Sequence, residues 1–146
     1  MSAASKTEEE VRKLSMEVRY FEQTAEVLQQ RVGMLNAAVA DLSYASTTLE
    51  NIEKEKENAE MLVPIGGGNY ISVKLANPDK VVVGMGSGVS IEKSLTEAKA
   101  VVKERMEDLQ KTQTSAEQQL TQISERINQD RTRLETLVAG IREGPQ

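Results

Sequence analysis

Few residues in this sequence have the types and spacing that chemistry requires. Gly84-Met85-Gly86-Ser87-Gly88 follows a β-branched run and carries a Gly-x-Gly, the start of a phosphate-cradling turn. The third glycine of a dinucleotide loop is not at its usual place, and no strand follows the helix behind it. The segment therefore reads as a turn between strands. No Gly-x-x-x-x-Gly-Lys-(Ser/Thr) run occurs, so there is no P-loop. Carboxylates gather at Glu8-Glu9-Glu10 and at Glu53-Lys54-Glu55-Lys56-Glu57. Both runs read as solvated helix faces with i,i+4 pairs, without a pocket in which an acid–base pair could work. The chain has no Cys and no His. That removes thiolate nucleophiles, disulfides, Cys/His zinc sites and the usual general base. The expectation is a non-enzyme with no cofactor and no metal, whose chemistry is the non-covalent burial of apolar surface.

Composition points the same way. Aromatic residues are 3% of the 146, with no Trp and one Phe, too few for a core built on large rings. Charged residues reach 28% against 38% hydrophobic, a mix that suits long solvated helices. The net charge of −5 argues against nucleic acid as a partner, because phosphates call for a basic surface. No stretch approaches the roughly 18 apolar residues of a membrane span, and no apolar run follows Met1-Ser2-Ala3-Ala4-Ser5-Lys6. The reading is a cytoplasmic protein that binds neither nucleic acid nor membrane.

Three segments must position whatever binds. Residues 7–60 read as a first helix, with a capping-box spacing at Thr7 and Glu10. Its apolar residues fall on a heptad: Val11, Val18, Ala25, Val32 and Val39 in one set, Leu14, Phe21, Leu28, Leu35, Leu42 and Leu49 in the other. β-Branched residues at a with Leu at d make a coiled-coil seam. Residues 94–141 read as a second helix, capped by Ser94 and Glu97, with Gly140, Gly144 and Pro145 ending it. Its seam runs Leu95, Val102, Met106, Leu109, Ala116, Leu120, Ile123, Ile127, Leu134, Leu137 and Ile141, broken by Lys99, Gln113 and Asp130. Residues 142–146 form a tail. Folding the second helix back along the first gives an antiparallel hairpin, with Ile52 near Leu95, Val11 near Leu137, and both termini at its tip.

Between the helices the period changes from 3.5 to 2. Residues 61–93 hold four short strands in two β-hairpins, separated by Gly66-Gly67-Gly68-Asn69, Asn77-Pro78-Asp79-Lys80 and Gly86-Ser87-Gly88. Pro64 belongs at an edge or strand end. Isolated hairpins are marginal in water, and open edges invite another chain. Val63, Ile65, Ile71, Val73, Leu75, Val81, Val83, Met85, Val89 and Ile91 are the expected oligomerisation residues, with Val83 facing a barrel shared between subunits. The fold class is α+β: a single domain with a long antiparallel coiled-coil hairpin whose two β-hairpins join an intersubunit β-barrel.

The first helix carries a second apolar row. With Val11 at a, Tyr20, Val27 and Met34 occupy c, and Met16 and Tyr44 occupy f, all pointing away from the partner helix. Exposed apolar patches mark binding sites, and Met suits surfaces that accept many shapes. The expected client-binding residues are Met16, Tyr20, Val27 and Met34, together with Val11, Leu14, Leu134, Leu137, Val138 and Ile141 at the tip, where fraying opens the seam.

Val63-Pro64-Ile65-Gly66-Gly67-Gly68 resembles the start of the first hairpin in the alpha class of the prefoldin family. The run from Asp79-Lys80-Val81-Val82-Val83-Gly84 through Ser90-Ile91-Glu92-Lys93 is similar to that family's second hairpin and helix start. The order helix, two hairpins, helix matches over essentially the whole chain, and two hairpins rather than one mark the alpha class. The short chain without long tails resembles archaeal members. The resemblance implies a hexamer of two alpha and four prefoldin beta subunits, built on two β-barrels with six coiled coils. It implies an ATP-independent molecular chaperone that binds unfolded client proteins and delivers them to a group II chaperonin. The alternative weighed beside it is a structural, filament-forming relative.

Overall fold

The computed structural model describes residues 2–143, so the expected stops at Gly144 and Pro145 lie outside the described residues. Among these, two helices flank four strands: α1 (Ala3–Glu53), β1 (Glu60–Gly66), β2 (Asn69–Lys74), β3 (Val81–Gly86), β4 (Val89–Lys93) and α2 (Leu95–Arg142). This is the coiled-coil hairpin of two long helices with two antiparallel β-hairpins between them. Its residues fall into two compact units. One comprises residues 2–36 and 111–143, the other Ala37–Gln110.

The first helix starts earlier and ends earlier than its sequence pattern predicts. Ser2 is the cap: its Oγ accepts the Ser5 amide at 3.2 Å, satisfying a donor of the first turn. Thr7 lies inside the helix, and its hydroxyl donates to the Ala3 carbonyl at 2.9 Å, so the Thr7/Glu10 spacing caps nothing. At the other end the expected 7–60 span stops at Glu53. Residues 54–57 are good helix formers, but Asn58 and Ala59 are committed to strand pairing. Asn58, at φ 67°, donates its amide to the Leu75 carbonyl at 2.7 Å, and Leu75 donates to Ala59 at 2.9 Å. That pairing extends the first hairpin beyond β1 and β2, and the left-handed Asn58 cannot sit in a helix. The charge run at 54–57 is therefore a loop; Glu53 pairs instead with Lys99 of α2 at 2.6 Å.

α2 begins where the capping box places it. Ser94 Oγ accepts the Glu97 amide at 3.2 Å and donates to the Glu97 carboxylate at 3.1 Å. A second acceptor comes from the inter-hairpin turn, where Asp79 Oδ1 takes the Leu95 amide at 3.2 Å. α2 runs through Gly140 to Arg142.

In the unit of residues 2–36 and 111–143, segments of α1 and α2 pack together. Val18, Ala25 and Ile127 are buried, with Phe21, Leu120, Ile123 and Leu134 packed on them. Glu10–Arg133 at 3.2 Å and Glu17–Arg126 at 2.8 Å show that the helices run antiparallel. Gln113, which breaks the apolar seam, is satisfied by a hydrogen bond from its side-chain nitrogen to Asn36 Oδ1. Such exposed polar pairs set register more than they stabilise.

In the unit Ala37–Gln110, Leu49, Val83, Leu95, Ala98 and Val102 form the core, with Leu42, Ala45, Ile52, Val81 and Val101 against them. Ala98 has 0% exposure, so no larger side chain fits without repacking. Val83 is 7% exposed and lies in this core. The expectation that Val83 faces a barrel shared between subunits is corrected here: its side chain is spent on the chain's own helices, because alternation along β3 turns Val81 and Val83 inward together.

The hairpins repeat one design. β1 pairs with β2 (Met61↔Val73, Val63↔Ile71) and β3 with β4 (Val81↔Lys93, Val83↔Ile91), each as a separate two-stranded sheet. Each register slips once before the turn, between Pro64 and Gly66 and between Gly84 and Gly86. Gly67-Gly68 (φ 60° and 79°) and Ser87-Gly88 (φ 54° and 77°) then make two-residue turns with both central φ positive. Pro64 sits beside the slip, where a missing amide costs little.

Candidate functional site

Two sets of apolar side chains are left without cover in the chain. The first lies on α1. Met16, Tyr20, Val27 and Met34 are between 64% and 75% exposed, all within the unit of residues 2–36 and 111–143. Heptad geometry puts them there: c and f lie opposite a and d on the helix, so a chain that turns its seam to α2 turns these outward. Tyr44, in the other unit, is exposed on the same grounds. The remaining expected client-binding residues behave differently. Val11, Leu14, Leu134, Leu137 and Val138 are half-buried between the helices, and Ile141 is exposed.

The electrostatic frame of this region centres on Arg126. Its guanidinium bonds Glu17 at 2.8 Å and Asp130 at 3.2 Å, and lies 5.9 Å from the centroid of the Phe21 ring. The Glu17 hydrogen bond, followed by the Asp130 charge, holds its pKa above the ordinary arginine value. Phe21 in turn tilts against Tyr20, with ring centroids 5.7 Å apart.

The second set lies on the hairpins. Val63, Ile65 and Ile71 are exposed, while Met61, Val73 and Leu75 are half-buried. The pairings Val63↔Ile71 and Met61↔Val73 put four of these on one face of the first hairpin. Met85, Val89 and Ile91 of the second hairpin are also exposed, whereas Val81 and Val83 point into the core. Arg105 of α2 fixes the second hairpin further, donating from Nη2 to the Gly84 carbonyl at 2.7 Å.

Leu62, Tyr70 and Val82 were not among the expected oligomerisation residues, yet all are strongly exposed, Val82 at 72%. They lie on the opposite strand faces. The signal was present in the sequence: Met61-Leu62-Val63 and Val81-Val82-Val83 are apolar at both parities, the pattern of strands covered on both sides.

Among the described residues no group of three or more His, Cys, Asp or Glu gathers to hold a metal ion, and no helix is long and apolar enough to cross a membrane.

Known proteins share this arrangement. The family model described as "Prefoldin subunit" matches residues 21–139. The chain is similar to a "Prefoldin subunit alpha" of Methanococcoides burtonii, 34% identical over 121 residues, covering 83% of this chain and 88% of that one. It is similar to a "Prefoldin subunit alpha" of Methanosarcina mazei, 34% identical over 139 residues, with 93% and 95% covered. Among solved structures it resembles the filamentous prefoldin of Methanocaldococcus jannaschii seen by cryo-electron microscopy, with a TM-score of 0.66, 28% identity, and 77% and 93% of the two chains covered. Paired helices, two β-hairpins between them and a sequence match over most of the length converge on one conclusion: the chain belongs to the prefoldin family, whose members are non-enzymatic, chaperone-like subunits that assemble with other prefoldin subunits.

Proposed function

We propose that this chain is an alpha-class chaperone subunit that holds unfolded proteins without ATP and delivers them to a group II chaperonin in the cytoplasm. It works in a hexamer of two alpha and four beta subunits, with its hairpins in the shared β-barrels. The observation that carries the reading is the row Met16, Tyr20, Val27 and Met34, large apolar side chains presented to solvent on a helix whose seam is already satisfied. An apolar row of this kind gives weak, shape-tolerant contacts. Several such rows in one assembly grip a client by avidity, so release needs no nucleotide. Val11, Leu14, Leu134, Leu137, Val138 and Ile141 add to the grip whenever the helix ends separate.

The test is dilution of a denatured model protein into buffer without ATP, with the chain alone and with a beta-class partner. Suppressed aggregation supports the reading, and loss of suppression in a Tyr20/Val27/Met34→Ser triple variant assigns it to the row. Unchanged suppression by that variant removes the row from the mechanism.

A second reading has its own support: the similar solved structure is filamentous, and the first hairpin here exposes Val63, Ile65 and Ile71. In that reading the chain polymerises alone. Long filaments without a beta-class partner, seen by electron microscopy, favour it over the closed hexamer.

A further inference from the structure

With no Cys, the six methionines carry all the sulfur of the chain, so an oxidant that attacks sulfur meets thioethers alone. Met1 lies outside the described residues, and the other five are not equivalent. Met61 and Met106 are half-buried. Met85 is 44% exposed, but its Sδ accepts a hydrogen bond from Arg105 Nη2 at 3.8 Å, which engages a sulfur lone pair. Met16 and Met34 are 66% and 75% exposed and stand outward on α1. Both belong to the unit of residues 2–36 and 111–143, where they are the only methionines among the described residues. The seam of that unit is built from residues such as Val18, Phe21, Ala25, Ile123 and Ile127, none of which carries sulfur. Met16 lies one turn before Tyr20, and Met34 lies two turns after Val27. The two thioethers therefore close the apolar row at both ends.

We infer that Met16 and Met34 are a paired modification site for hydroperoxides, and that their oxidation turns the apolar row off. The thioether lone pair attacks one peroxide oxygen, the O–O bond breaks, and that oxygen stays on sulfur. Sulfur is oxidised by two electrons to the sulfoxide, and the peroxide is reduced to water, or to an alcohol when it is organic. The sulfoxide is polar, so a client that covers it strips away its water and gives no donor in return. That weakens the contact at each end of the row by about tenfold or more. The helix pair is unaffected, because neither sulfur lies in the seam. Sulfoxide reductases, one per epimer, reverse the change. The oxidation site follows from exposure and sulfur chemistry; its effect on clients rests on the chaperone reading above.

Limited hydrogen peroxide treatment of the full chain, alone and assembled with a beta-class partner, tests this. Mass spectrometry of its peptides should show Met16 and Met34 oxidised several-fold faster than Met61, Met85 and Met106. Equal rates overturn the site. Suppression of aggregation is then read before and after treatment, at a dose that spares those three, in the unaltered chain and in a Met16→Leu/Met34→Leu variant. Leu keeps the apolar bulk without the sulfur, and each protein is compared only with its own untreated state. The unaltered chain should lose at least half of its suppression, keep its helix content, and recover when both sulfoxide reductases are added. The Leu variant should lose none. An equal loss in the Leu variant assigns the effect to other methionines, the partner's included, and overturns the switch, as does an oxidised chain that still suppresses fully. Where the Leu variant suppresses too little beforehand to be read, recovery with the reductases decides, and a loss that they do not reverse is the overturning result. An untreated assembly that suppresses nothing ends the chaperone reading and the switch with it, while the mapped rates still decide the site.

Discussion

The two helix starts show what single residues reveal and conceal. Ser94 and Glu97 have the capping-box spacing and form the bonds. Thr7 and Glu10 have the same spacing, but Ser2 caps first, and a helix already begun absorbs Thr7 as an interior residue. The motif is necessary for such a cap, but upstream competition decides whether it is used. Ser87 carries a related lesson, since its turn needs φ 54° and a residue with a Cβ resists that. Ser87→Gly should hold or slightly raise the thermal midpoint, while Ser87→Val should lower stability by about 1 kcal/mol or more, measured by thermal unfolding. Lys99 offers a pH-dependent check. Its hydrogen bond to Glu53, the largest influence, raises its pKa above 10.5 against a smaller opposing effect of desolvation. A cation whose folded pKa is raised contributes its stability below the unfolded value and loses it as pH rises through the folded one. The midpoint should therefore fall through the alkaline range above about pH 10 by more than in Lys99→Met. Added salt should shrink the difference, because the pair is exposed.

Helices and strands were legible from period alone, and the α1 seam packed as the heptad requires: every named a and d residue of α1 is buried or half-buried. What the period did not reveal was the end of α1. Residues 54–57 favour helix locally, and only the pairing of Asn58 and Ala59 with Leu75, some 16 residues on, ends it. Non-local hydrogen bonds leave no trace in a local pattern. The hairpins show the same limit. Alternation identified which residues share a face, but not which face meets the chain's own helices. For the second hairpin the inward face is that of Val83, packed with Leu49, Leu95, Ala98 and Val102. Val83→Asp should therefore destabilise the chain itself, by about 3 kcal/mol or more, because it buries an unpaired charge. Circular dichroism of the variant would show an early loss of structure in the unit Ala37–Gln110, before any question of assembly arises. A variant as stable as the parent would mean that this core does not hold the hairpin.

At the scale of the whole molecule the two hairpins part company. The second is anchored by Val81 and Val83 in the core and by Arg105 on Gly84. The first offers Val63 and Ile71 as a paired, exposed apolar face, and among the described residues its two strands form a sheet with no third strand on either edge. Such a sheet is marginal alone and gains most from pairing with another chain. A charge placed on that face should cost little within one chain but much in an assembly that buries it. Ile71→Lys should keep the helix content and thermal stability of the single chain, since the ammonium reaches water from a half-exposed site. It should nonetheless reduce assembly by an order of magnitude or more, as about 2 kcal/mol of apolar burial is replaced by a buried charge. Sedimentation of Ile71→Lys beside Val83→Asp separates the two roles. Loss of assembly with a folded chain in the first, and loss of the fold in the second, would assign association to the first hairpin and anchoring to the second. Normal assembly by Ile71→Lys would move the interface to the opposite faces, where Leu62, Tyr70 and Val82 stand exposed.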